Sequence, residues 1–211
     1  MSNVMSPADH KKIAEAISLA EAKTSGEIYC VVARASDNYF YPAAFMVFVA
    51  MMIISLGMAL GLEAGWYAIR LPLFVTAQVL ASASVLLALT FFPWLRLWLT
   101  PRRLQYRRAH ENAVRQFLAR NVHITAERTG VLIFISMAER YAEVVADSGI
   151  DAKVEQSQWN GVVRDLIARA KQDEVAEGFL VAINQVGDLL AAHFPPRPTN
   201  PNELDDHLVE I

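Results

Sequence analysis

Two apolar runs limit what this chain can fold into. Residues 43–62 and 71–95 contain no charged side chain. Twenty helical residues span about 30 Å, the depth of a bilayer's hydrocarbon core. Residues 43–95 hold only Glu63 and Arg70 of the chain's 19 basic and 22 acidic residues. The rest carries charge at about the quarter usual for a soluble domain, too little chain to bury two such helices. The sequence therefore predicts a globular domain interrupted over residues 43–103 by a transmembrane helical hairpin. Its spans are expected at about 43–62 and 71–95.

Aromatic residues mark the expected interfaces: Tyr39 and Tyr41 before the first span, Trp66 and Tyr67 between the two, Trp94 and Trp98 at the end of the second. Pro93 is placed to end or kink the second helix. Basic residues set the orientation. Arg96, Arg102, Arg103, Arg107 and Arg108 follow the second span, and Lys11, Lys12, Lys23 and Arg34 precede the first, against Arg70 alone between them. The positive-inside rule then puts both termini and the globular domain in the cytoplasm, at a cell inner membrane. The same arginine cluster is a candidate lipid-facing surface. No signal peptide is expected, because the N-terminus lacks a basic segment followed by an apolar one. Gly57, Gly61 and Gly65 form a small-residue stripe for close helix packing. Its expected partner is the second span at Ala81, Ser82 and Ser84, with homo-oligomerisation through the first span as the sharper alternative. Neither span carries an ionisable residue, which argues against a transporter or pump.

Outside the hairpin the pattern is that of an α/β domain. Ser6-Pro7-Ala8-Asp9 opens a helix with face Ile13, Ile17 and Ala20, and residues 27–33 form a near-continuous apolar strand. Helical spacing returns over 104–120, followed by a second buried strand at 131–136 and a third at 141–147. Two amphipathic helices follow, one carrying Trp159, Val162 and Leu166, the other Val175, Phe179, Ile183 and Leu190, with Asp173 as the cap of the latter. The helix between the first two strands favours a parallel pair. The expected architecture is a small, partly parallel sheet sandwiched by helices, formed by residues 1–42 and 104–195. Residues 196–211 read as an irregular, proline-rich acidic tail.

The strand ends supply the candidate chemistry. Asp37 follows the first strand, and Asp147 and Asp151 flank the turn after the third. Ligands of open α/β sheets gather beyond the carboxyl ends of parallel strands, and carboxylates there suit Mg²⁺ or Ca²⁺. No histidine pair has zinc-ligand spacing, and His123 is the one histidine placed to join a site. Phosphate-binding, nucleophile-elbow and dinucleotide motifs are absent, so nucleotide-driven, nucleophilic and redox chemistry have no local support. Cys30 alone permits no internal disulfide and reads as core. A net charge of −3 and a pI near 6.0 do not suggest nucleic acid as a partner.

Several short segments carry a resemblance. Thr24-Ser25-Gly26-Glu27-Ile28 leads into the first strand and Arg128-Thr129-Gly130-Val131-Leu132-Ile133 into the second. Val144-Val145-Ala146-Asp147-Ser148-Gly149-Ile150 and Glu177-Gly178-Phe179-Leu180 follow. The pattern resembles the TPM domain, over roughly 7–36 and 104–195. The resemblance implies an α/β sandwich. It also implies an auxiliary, assembly or quality-control factor for other membrane proteins, without catalysis, or alternatively a weak divalent-metal-dependent acid phosphatase. Many members carry Asp-Asn-Gly where this chain has Arg128-Thr129-Gly130, so a basic residue stands in place of an acidic one there. The expected partners are the lipid bilayer and another membrane protein.

Overall fold

A computed structural model describes residues 4–65, 70–125, 127–197 and 202–211. Trp66 and Tyr67, expected at an interface, lie outside them, as does part of the proline-rich segment. The chain divides into two compact units, Met1–Ser36 with Tyr106–Ile211, and Asp37–Gln105.

The first unit is built on a four-stranded sheet. β1 (Glu27–Ala33) pairs in parallel with β2 (Gly130–Ser136), from Glu27 opposite Gly130 to Ala33 opposite Ser136. β3 (Tyr141–Ala146) runs antiparallel to β2. β4 (Leu208–Glu210) pairs in parallel with the other edge of β1, giving the order β3-β2-β1-β4. β1 and β2 are buried along their whole length. Ile28, Cys30, Val32, Val131, Ile133 and Ile135 face one core. α1 (Pro7–Glu21), α7 (Gln156–Ala170) and α8 (Val175–His193) close that core with Ile13, Ile17, Trp159, Leu166, Phe179 and Ile183. Tyr29, Val31, Leu132 and Phe134 face the other side, under Ala113 and Phe117 of the helix Arg102–Ala119 and Val122 of the short 3₁₀ turn after it. Helices on both faces explain why the two central strands are continuous apolar runs and not alternating ones.

Helix starts follow their local chemistry. Ser6 and Asp9 form a reciprocal capping box, with Pro7 in the first turn. Asp173 does not cap α8 as expected. It takes φ 62°, and Glu174 occupies the cap position. The tail is also corrected. Residues 208–210 form a strand, and the Ile211 and Arg34 amides extend its pairing to the Val32 and Ile211 carbonyls. A three-residue strand after prolines leaves no periodicity to read; the exposed edge of β1 supplies its geometry.

In the second unit, α2 (Phe40–Ala64) and α3 (Leu71–Phe91) form a hairpin, and α4 (Pro93–Leu99) packs against both. The helix Arg102–Ala119, α5, begins in this unit and continues into the first. α2, α3 and α8 are each long and apolar enough to cross a membrane. They differ in burial: 6% of the most apolar window of α2 and of α3 is buried, against 44% for α8, whose apolar face fills the core. α2 meets α3 along a face that includes Met51, and the Ser82 hydroxyl lies 3.9 Å from the Met51 sulfur. Gly57 and Gly61 are not on that face, since a Cβ on either would meet nothing within 4 Å. Ala81 and Ser84 are exposed, so of the three expected partners only Ser82 lies on the contact.

Candidate functional site

The three acids expected to share a metal do not share a place. β3 is antiparallel, so its end and Asp147 lie beside the start of β2, where the Asp147 amide donates to the Gly130 carbonyl. β1, a seven-residue strand of roughly 20 Å, ends at the opposite end of the sheet, and Asp37 after it opens the second unit. Asp147 and Asp151 remain together, capping and ending the four-residue helix α6 (Ser148–Asp151). Asp147 Oδ1 accepts from the Ser148 amide at 2.6 Å and its hydroxyl at 3.0 Å. Oδ2 is buried without a hydrogen-bond partner among the described residues. Asp151 is exposed, and the Asp37 side chain accepts from the Asn38 amide at 2.6 Å. Among the described residues, no three His, Cys, Asp or Glu side chains gather as a cation site. His123 Nδ1 is buried and likewise unpartnered among them.

Three of the four resembling segments converge, at the sheet end where β1 and β2 begin, while Glu177–Leu180, at the start of α8, lies beside Met137 after the end of β2. The Thr24 hydroxyl donates to the Phe194 carbonyl at 2.6 Å, and the Thr129 hydroxyl to the Ser25 carbonyl at 3.1 Å. A Cβ on Gly130 would stand 2.0 Å from the Val122 carbonyl oxygen, and one on Gly149 2.5 Å from that of Arg128. These residues are held by backbone packing, and Arg128 itself is exposed.

Three ionisable groupings were not foreseen. On the β4 side, Glu21 Oε1 accepts from the Ile28 amide at 2.7 Å, and Glu27 Oε2 from the Leu204 amide at 3.3 Å. Burial pushes Glu21 up to about 9, against the Ile28 amide, and the nearby Glu27 and Asp206 add to the rise. Burial raises Glu27 as well. At the far edge, His110 Nδ1 lies 2.9 Å from Glu143, which also accepts from the Tyr141 hydroxyl at 2.9 Å. Burial, then the Glu143 charge, pushes the Tyr141 phenol up. This trio ties α5 to β3. Where β1 ends, buried Glu139 accepts from the Ser36 amide at 2.8 Å and the Ser136 hydroxyl at 2.5 Å. None has a local sequence signature, because each joins residues from at least two elements.

The arginines expected to face lipid divide in two. Arg96 turns inward to the Leu89 and Thr90 carbonyls, at 2.5 and 3.0 Å, and to Asn38. Arg107 and Arg108 pair with Glu111 at 3.1 and 3.2 Å. Arg102 and Arg103 are exposed at the start of α5, where Arg102 also donates to the Gln105 side-chain oxygen at 3.2 Å.

This architecture is a mixed α/β sandwich with an apolar helical hairpin inserted after the first strand. Residues 98–189 match the profile of the TPM domain family. Over those residues the chain is similar to that family. The match starts after the hairpin, which separates α1 and β1 from the rest of the domain. The fold is also similar to the NMR structure of the BA42 protein from the psychrophilic bacterium Bizionia argentinensis. The identity is 17% and the TM-score 0.61, covering 100% of this chain and 97% of that one. No curated protein matches the chain.

Proposed function

We propose that this protein is a membrane-anchored TPM-domain factor that assists the assembly or quality control of other membrane proteins without catalysing a reaction. One observation carries the reading. Two helices of 25 and 21 residues present apolar side chains outward along their length, among them Phe45, Phe48, Ile53, Ile54, Leu73 and Leu80. A patch of that size on a soluble protein is an interaction surface, and its length fits a bilayer. The distribution of basic residues supports a topology with both termini and the domain on the cytoplasmic face of an inner membrane. The open face at Gly57 and Gly61 suits a second copy or another membrane protein. The test has two parts. The chain is expected in the alkali-resistant membrane fraction, with a cysteine at Glu63 labelled by an impermeant maleimide from outside and one at Arg103 from inside only. Photo-crosslinkers on α2 are then expected to capture specific membrane proteins; recovery in the soluble fraction rejects the proposal.

The alternative, a weak metal-dependent phosphatase, now rests on Asp147 and Asp151 alone, and the buried, unpartnered Oδ2 of Asp147 favours it. It requires saturable Mg²⁺ or Ca²⁺ shifts of the Asp147 and Asp151 amides by NMR, lost in Asp147→Asn.

A further inference from the structure

The second apolar helix ends at a defined depth. α3 has 21 residues, about 31 Å of helix and close to the depth of a hydrocarbon core. Phe92 breaks it with φ −119° and ψ 82°, and Pro93 starts α4. Four aromatic side chains at this break are turned outward: Phe91 is 70% exposed, Phe92 51%, Trp94 67% and Trp98 76%. Trp94 and Trp98, four residues apart, share one side of α4. An indole, apolar in body with one N–H, suits the headgroup level of a bilayer. Arg96, between them, faces the other way. It caps the last carbonyls of α3 and stands over the Phe40 ring at 5.5 Å, where its charge complements the helix dipole. The next charges, Arg102 and Arg103, are exposed. No acidic residue occurs between Glu63 and Glu111, although the whole chain is at −3. Attraction to an anionic surface is therefore concentrated here.

We propose that α4, with Phe91, Phe92, Trp94 and Trp98 and the adjoining Arg102 and Arg103, docks on anionic phospholipid headgroups. The indoles sit at the glycerol level and the two guanidiniums meet lipid phosphates. This rests on the membrane-anchored reading and adds to it the class of lipid. Surface charge complementarity decides for anionic over zwitterionic headgroups, because an arginine near an anionic surface gains about 1 kcal/mol, roughly fivefold in affinity.

The test uses the full chain in nanodiscs of phosphatidylcholine with and without phosphatidylglycerol. Lipids retained on the protein are counted by native mass spectrometry. Phosphatidylglycerol is expected to be retained in preference, by about fivefold per arginine. The preference should fall in R102Q/R103Q and persist in R102K/R103K, which keeps the charge. Lipids brominated near the carbonyl are expected to quench tryptophan fluorescence more than those brominated mid-chain, an excess that falls in W94F/W98F. Equal retention of the two lipids, an unchanged preference in R102Q/R103Q, or dominant mid-chain quenching overturns the inference and leaves the anchor intact. Failure of the chain to enter nanodiscs overturns both.

Discussion

Glu21 and Glu210 bind protons with opposite consequences for stability. Folded Glu21 keeps its proton up to about 9, whereas the unfolded chain releases it near 4.5. Its contribution is complete below about pH 4.5 and is lost as pH rises toward 9. Glu21→Gln mimics the protonated form, so it is expected to raise Tm at about pH 8 and flatten the profile from pH 5 to 9. Glu210 is the reverse. Partial burial opposes the shift, but the Val4 and Met5 amides and His10 hold its carboxyl below the usual range. Its contribution is present above about 4.5 and is lost as pH falls through its folded value. Glu210→Gln should lower Tm at neutral pH and weaken the acid limb; calorimetry in detergent reads both. Glycines divide in the same way. Gly130→Ala puts a methyl against the Val122 carbonyl and should cost more than about 2 kcal/mol. Gly161→Ala, with open space and a helical backbone, should gain about 0.5–1 kcal/mol. The sequence marks Gly130 as part of a motif; only the approach of Val122 shows what the motif is for.

Elements were legible where their periodicity was long. α1, β1, β2, β3, α5, α7 and α8 each hold enough residues for burial to print a pattern. β4 does not, and its pairing depends on β1 having an open edge. Deleting residues 203–211 is therefore expected to speed exchange of the Arg34 amide, which donates to the Ile211 carbonyl. Hydrogen exchange by NMR checks this; unchanged protection would mean that β4 does not cover the edge. In the hairpin, the glycine spacing was legible but its direction was not. Because Gly57 and Gly61 meet nothing, G57A/G61A should leave the melting of the monomeric chain in detergent unchanged or slightly raised. A large fall would place α3 against that face.

At the scale of the whole molecule, a first unit that contains both hydrophobic clusters predicts separable behaviour. Replacing residues 38–104 with a Gly/Ser linker should release a soluble domain that unfolds cooperatively and retains the capping and sheet contacts of the first unit. An aggregated product would show that the hairpin contributes to folding. The apolar helices, the inserted hairpin and the parallel pairing of the first two strands were determined by the sequence alone. Span length is a local quantity, set against the fixed depth of a bilayer, and a helical crossover between strands leaves little freedom in their direction. The candidate site was not determined in that way. Asp37 and Asp147 both follow strands, and only the antiparallel direction of β3 puts the ends of those two strands at opposite ends of the sheet. Glu21, Glu27 and Asp206 meet only because β4 brings the C-terminus to the edge of β1. Side chains from distant segments become neighbours through strand order and direction, and no spacing along the chain records either.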